Sequence, residues 1–418
     1  MKNRQKVHLE ALQALKKNNG IGTLDIQTGI GKSKILIDFV LTTLKPGDTV
    51  LILVPLTRLI LNWADEFFKW SSCNYNKVTR CVTVVVPNGN IKVYLETVQT
   101  AYKWRDKEWT LIVLDETHTM VTTEYQAVMK LTSTYRIGLT ATTDIKGKID
   151  KEELYNTYCP IVYSYHDGES HGIINKTKIT IIDHELTNNF KRLILSKKNG
   201  KFEMGEANQY EYLTKRVRAA EGSMMEEGST GFFEDAAKWW WNREGTTSQK
   251  SAGRKYLQSI TMRKTFLLSL QSTAEIARKL SSKLLEGDLN NKVLTFSELV
   301  SQAKTICSNV VFGEQSDEDN DKLIQLFNEG KIRLLGSCYS LTLGINLVGA
   351  NNAIIESYQS SVTKGTQRIG RLHRLSEDDT ANIYIINVLN TQAEKWFAAM
   401  TNGIDLTNAK IISSTELL

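Results

Sequence analysis

The residues able to do chemistry stand in two runs near opposite ends of the chain. Gln27-Thr28-Gly29-Ile30-Gly31-Lys32-Ser33 sets two glycines ahead of a lysine and a hydroxyl. Glycines allow backbone N–H groups to turn inward on phosphates; Lys32 then reaches the β and γ oxygens, and Ser33 offers an oxygen to Mg²⁺. Thr28, Gly29, Ile30 and Gly31 would line that cradle. A strict phosphate loop asks for a small residue where Ile26 stands, so the pattern is incomplete. The second run, Gln367-Arg368-Ile369-Gly370-Arg371-Leu372-His373-Arg374, brings guanidiniums with no phosphate of its own. Arg371 and Arg374 lie three apart and share a face if the run is helical. Together the runs imply two domains closing on one nucleoside triphosphate.

A third run supplies carboxylates. The apolar stretch Leu111 to Leu114 reads as a strand that ends in Asp115-Glu116-Thr117-His118. Asp115 at a strand end can hold Mg²⁺ through water, and Glu116 can orient and deprotonate an attacking water. An acidic strand cap is the plain alternative. The phosphate loop upstream weighs against it.

These residues need strands and helices to position them. Short apolar runs (Leu24 to Ile26, Val50 to Val54, Val82 to Val86, Val93 to Leu95, Leu111 to Leu114, Ile137 to Leu139) alternate with amphipathic stretches. That rhythm predicts a parallel sheet with crossover helices, whose ligands sit at the carboxyl ends of the strands. A polar stretch from Tyr165 to Asn175 marks a junction. A second alternating region then runs through Val293 to Phe296, Ile332 to Leu335, Ala353 to Ile355 and Ile383 to Ile386. The expected class is α/β with two doubly wound parallel-sheet domains, at 1–165 and 176–418. A Lys-, Arg-, Glu- and Gly-rich helical or irregular insertion, holding Trp239-Trp240-Trp241, is expected at about 190–251. Successive helical side chains point about 100° apart, so three consecutive tryptophans cannot all face one core.

Composition bounds the rest. At 418 residues the chain has room for two cores, and its 41% hydrophobic and 23% charged residues are those of a soluble globular protein. Net charge is +6, which permits a polyanionic partner without identifying one. The longest apolar run suits a buried strand and not a membrane span. Five scattered cysteines without a Cys-x-x-Cys pair argue against a zinc site and for a reducing compartment. A cytoplasmic monomer of prokaryotic or viral context is the expectation, with a nucleus as the alternative.

With these runs in place, the chain resembles the superfamily 2 helicases and translocases. Besides the phosphate loop and the Asp-Glu-x-His box, Val54-Pro55-Leu56-Thr57-Arg58 resembles motif Ia and Thr97-Val98-Gln99-Thr100 motif Ib. Gly138 to Thr142 resembles motif III, Val293 to Ser297 motif IV, Gly344-Ile345-Asn346-Leu347 motif V, and the Gln367 to Arg374 run motif VI. The matches occur in order over most of the chain, the insertion excepted. Some features resemble Swi/Snf-like duplex translocases, others the phage branch-migration helicases.

The resemblance implies two RecA-like domains that bind ATP with Mg²⁺. It places Gln367 at the γ-phosphate or its water, makes Arg371 and Arg374 arginine fingers, and assigns nucleotide contacts to Gly344 and Asn346. Leu343 stands where the family often has an acid. The upstream adenine-reading glutamine of the family would be Gln5, although Arg4 is directly adjacent. Thr57, Arg58, Thr97, Gln99, Thr100 and Ser297 would hold a nucleic-acid backbone without reading sequence. His118, Thr140 and Thr142 would couple the two activities. The implied activity is ATP-driven movement on duplex or branched DNA. An RNA-stimulated helicase of the same build, or a nucleotide-dependent clamp with little turnover, is the alternative.

Overall fold

Apolar runs become central strands because a strand covered on both faces has no solvent side to keep polar. In the computed structural model, which describes residues 3–120, 125–143, 149–196, 200–242, 245–338, 347–359, 379–402 and 404–417, Thr49–Val54 is such a strand, buried from Val50 onward. Val50, Ile52 and Val54 enter one core with Ile26, Ile37 and Phe39, while Leu51 and Leu53 enter another with Trp109, Leu114 and Tyr155. The two-residue period of a strand thus feeds both faces of the sheet.

The chain divides into two compact units, with the main boundary between Lys178 and Ile179. Strands of the first are β1 (Ile21–Ile26), β2 (Thr49–Val54), β3 (Cys73–Asn76), β4 (Cys81–Val86), β5 (Gly89–Thr97), β6 (Trp109–Asp115), β7 (Ser133–Thr140) and β8 (Ile161–Tyr165). Its helices are α1 (Arg4–Lys17), α2 (Lys32–Thr43), α3 (Arg58–Trp70), α4 (Gln126–Met129) and α5 (Ile149–Tyr158). The sheet order is β3-β4-β5-β2-β6-β7-β1-β8. From β5 to β8 the pairs are parallel; β3, β4 and β5 pair antiparallel and form an edge that the apolar rhythm does not announce.

The second sheet holds β9 (Lys176–His184), β12 (Val293–Ser297), β13 (Val310–Val311), β14 (Leu334–Cys338), β15 (Asn352–Ile355), β16 (Thr380–Val388) and β17 (Lys410–Ser413), in the order β13-β14-β12-β15-β16-β9-β17. Helices α9 (Gln271–Gly287), α10 (Val300–Ile306) and α11 (Asp317–Asn328) accompany it. Ser316 caps α11 by accepting from Asp319 N, and three acids in the first turn suit the helix dipole.

Between β9 and α9 the chain builds a hairpin, β10 (Lys191–Ser196) with β11 (Gly200–Gly205), then α6 (Glu206–Glu226), α7 (Phe233–Asn242) and α8 (Thr247–Leu267). The helical part continues to Leu267, beyond the expected end near residue 251, because α8 packs along both α6 and α7. A capping box of Thr246 and Gln249 starts α8. At the junction, residues 166–174 do not stand apart from the first unit: Ile173 and Ile174 are buried in its core.

Candidate functional site

The phosphate loop joins β1 to α2, and its glycines take the conformations such a loop requires. Gly29 has φ 92° and Gly31 φ 106°, values an L side chain adopts only under strain. Lys32 opens α2, and its Nζ donates to Ile26 O at 2.8 Å, across the mouth of the loop. Thr28, Gly29, Lys32 and Ser33 are half-buried, so their polar groups stay open to a ligand, whereas Ile30 is an apolar anchor in the core. The residue at the Ile26 position is likewise fully buried, which accounts for its bulk.

Two segments clasp this loop. From α1, the His8 Nε2 lies 2.8 Å from Ile30 O. A carbonyl only accepts, so Nε2 carries the proton, and burial lowers the His8 pKa, favouring this neutral form. On the other side, Gly168 N donates to Gln27 Oε1 at 2.9 Å and Gln27 N donates to Tyr165 O at 2.9 Å. Beneath it, His166 Nε2 meets Asp25 Oδ2 at 3.1 Å. Sequence reasoning put Gln5 beside the nucleotide. Gln5 is exposed on α1, and His8, three residues further along the helix, touches the loop. The three-residue helical offset was the available signal.

The carboxylates sit at the end of β6. Two parallel strands, β7 and β1, lie between β6 and β8 in the sheet, and Asp115 pairs in register with Leu139. Trp63 Nε1, from α3, donates to Asp115 Oδ2 at 2.8 Å. No role for this indole was read from the sequence, although the helical spacing of Leu59, Ile60, Trp63 and Phe67 shows which face of α3 is buried. Burial, and then the neighbouring Glu116 charge, push the Asp115 pKa up to about 7; Trp63 and the charge of Lys32 act the other way. Two carboxylates against one ammonium leave a local surplus of negative charge. Hard oxygen donors of this kind, with the Ser33 hydroxyl, fit Mg²⁺, which keeps several waters and takes one or two carboxylates.

Glu116 has φ 53°, in the left-handed region, at a cost of about 1–3 kcal/mol for such a residue. Its neighbours hold it there. Thr119 Oγ1 donates to Glu116 O at 2.8 Å, and Thr117 Oγ1 donates to Leu114 O at 2.8 Å. His118, only 7% exposed, lies 3.5 Å from Glu116 Oε2 and 3.0 Å from Thr140 Oγ1 through Nδ1. Thr140 Oγ1 in turn donates to Thr142 O at 2.6 Å. His118, Thr140 and Thr142 are therefore one hydrogen-bonded set touching Glu116.

A second group gathers beside it. Val54 pairs in register with Thr97, so the ends of β2 and β5 bring Thr57, Arg58, Thr97, Gln99 and Thr100 to one edge of the sheet. Gln99 Nε2 donates to Pro55 O at 3.3 Å, and Thr100 Oγ1 donates to Glu96 Oε2 at 2.9 Å. Thr57 and Gln99 are exposed, while Thr97 is buried against Thr100. Ser297, expected among the nucleic-acid contacts, lies in the second unit at the end of β12 and is fully buried. Gly344, Asn346, Gln367, Arg371 and Arg374 lie outside the described residues.

Comparison with known proteins follows the same division. The family described as type III restriction enzyme, res subunit, matches residues 1–145, and the helicase conserved C-terminal domain matches residues 276–376. The DNA 3'-5' translocase XPB2 of Sulfurisphaera tokodaii is 23% identical over 394 residues, covering 90% of this chain and 80% of that protein. The Pyrococcus furiosus Hef helicase domain superposes with a TM-score of 0.55 at 14% identity, over 94% of this chain and 98% of that one. S. cerevisiae Dbp5 bound to RNA and ADP BeF3 gives 0.56 at 14% identity, over 98% of this chain and 90% of that one.

Proposed function

Because the chain belongs to the superfamily 2 helicases and translocases, we propose that it couples ATP hydrolysis to movement on duplex or branched DNA. The observation that carries this reading is the wiring of the carboxylates: Asp115 anchored by Trp63, and Glu116, on a strained backbone, meeting the His118 side chain that also bonds Thr140. In this account Gly29, Gly31 and Lys32 grip the triphosphate, and Ser33 and Asp115 hold Mg²⁺, which would offset charge on the β and γ oxygens. Glu116 takes the proton of the attacking water. Arg371 and Arg374 supply the positive charge that Lys32 alone does not, with Gln367 and the Gly344 and Asn346 backbone contributing further nucleotide contacts. The strand-end group of Thr57, Arg58, Gln99 and Thr100 holds phosphates of the track without reading bases.

The choice of DNA rests on the name of the Sulfurisphaera relative and on motif content. The presence of Glu116 favours turnover over a passive clamp. Lys32→Ala and Glu116→Gln provide the test. Each should lower steady-state ATP hydrolysis at least a hundredfold, and Glu116→Gln should still bind ATP. Hydrolysis at the wild-type rate in either protein would remove the assignment.

A further inference from the structure

The tryptophan cluster of the insertion is unused by the motor chemistry, and its surroundings suit a particular ligand. On α7 the middle residue, Trp240, is 5% exposed and packs with Met224, Ala237 and Ala252 in a small core. Its neighbours Trp239 and Trp241 are 53% and 58% exposed, and Phe232, just before the helix, is 80% exposed. A cavity of about 430 Å³ opens between the 228–232 loop and α7, lined by Phe232, Trp239, Trp240, Ser229 and Asp235 among others. That is within the range of small-ligand sites, and aromatic side chains left this open mark a binding surface.

Charge decides what enters. Asp235 is the only charged side chain lining the cavity among the described residues. On α7 the charged side chains are Glu234, Asp235 and Lys238, and Lys238 is held by Glu234 at 2.7 Å, whereas the basic residues of the insertion (Lys215, Arg216 and Arg218 on α6) do not line the cavity. A phosphate entering the cavity would meet the Asp235 carboxylate and no lining cation among the described residues, whereas stacking sites for nucleic acid set Lys and Arg beside their rings. A cation would be attracted twice, by ring faces and by a carboxylate. Ser229, nine-tenths buried, forms part of the same wall.

We propose that this cavity is a docking site for an arginine side chain on an extended segment of a partner protein. The planar guanidinium stacks on the Trp239 indole and the Phe232 ring and forks to the Asp235 carboxylate. Arginine fits better than lysine because its flat, weakly hydrated fork combines stacking with directed hydrogen bonds. The site is distinct from the ATP-binding residues and does not depend on which nucleic acid the motor follows.

The test uses the full chain labelled with 5-fluorotryptophan, with the Trp239 and Trp240 fluorine resonances assigned by single Trp→Phe variants. The probe is the capped peptide Gly-Ser-Arg-Gly-Ser; its citrulline counterpart keeps the shape and removes the charge. Titration with the arginine peptide should shift the Trp239 and Trp240 signals while leaving that of the buried Trp109 in place. Citrulline should produce no shift, and Asp235→Asn should weaken the response at least fivefold. Asp235 is exposed on a helix surface, so that variant keeps the fold, as an unchanged Trp240 chemical shift would verify. The proposal is overturned if the arginine and citrulline peptides act alike, if neither shifts these signals, or if only an oligothymidylate does so.

Discussion

At the residue scale, the carboxylate pair is only as good as the groups that hold it. Trp63 is the test, since Trp63→Phe keeps most of the buried ring surface and deletes the hydrogen bond to Asp115. A hydrogen bond to a charged group contributes about 1.5–3 kcal/mol, so hydrolysis should fall roughly ten- to a hundredfold and the thermal midpoint should drop by several degrees while the fold persists. Kinetics alongside a melting curve would check this. His184 makes a second residue-scale prediction. It is 2% exposed, bridges Ser414 Oγ at 2.9 Å and Ser272 Oγ at 2.8 Å, and burial lowers its pKa to about 4. Below about pH 6.5 the unfolded chain takes up a proton that the folded chain refuses, so stability is lost as pH falls from there towards about 4. Wild type should exceed His184→Gln in stability most above neutrality, and the gap should narrow by up to about 3 kcal/mol on acidification. Denaturant titrations of both proteins across that pH range measure it.

At the element scale, legibility followed how strongly one period dominated. Runs such as Thr49–Val54 and Val293–Ser297 are mostly apolar and almost wholly buried, as strands covered on both faces are, and both were readable as strands. The antiparallel edge escaped notice because Cys73–Asn76 alternates polar and apolar residues over a mere four positions. The hairpin β10–β11 was hidden by lysines such as Lys191 and Lys201, which on a two-stranded ribbon face solvent. Motif residues fared better than element boundaries. Phosphate-loop glycines announce their φ values, but nothing local tells that His8 would reach Ile30 or that Trp63 would reach Asp115. Those contacts depend on how α1 and α3 lie on the sheet. The helical insertion has its own small core around Trp240, while Leu213, Phe266 and Leu267 tie its far end to Val388 of β16. Trp240→Ala should cost about 3–5 kcal/mol locally, loosening α6–α8 in hydrogen exchange while protection of β2 and β6 persists.

At the scale of the whole molecule, two α/β units divide the work. The first holds the phosphate loop, the carboxylates and the strand-end polar group, all at the carboxyl ends of one sheet. The sequence alone carries the run of arginines at Gln367 to Arg374, and the proposed mechanism needs both. If the second run completes the catalytic charge, Arg371→Ala should depress turnover by about a thousandfold while ATP affinity changes far less. Equal losses in both would show a binding role instead. The most direct measurement of the central claim is the steady-state ATPase rate of the purified chain, alone and with saturating duplex DNA, forked DNA, single-stranded DNA or RNA. This account predicts a low basal rate raised at least tenfold by duplex or forked DNA and abolished in Glu116→Gln. A rate that no DNA raises, or that RNA alone raises, would contradict it.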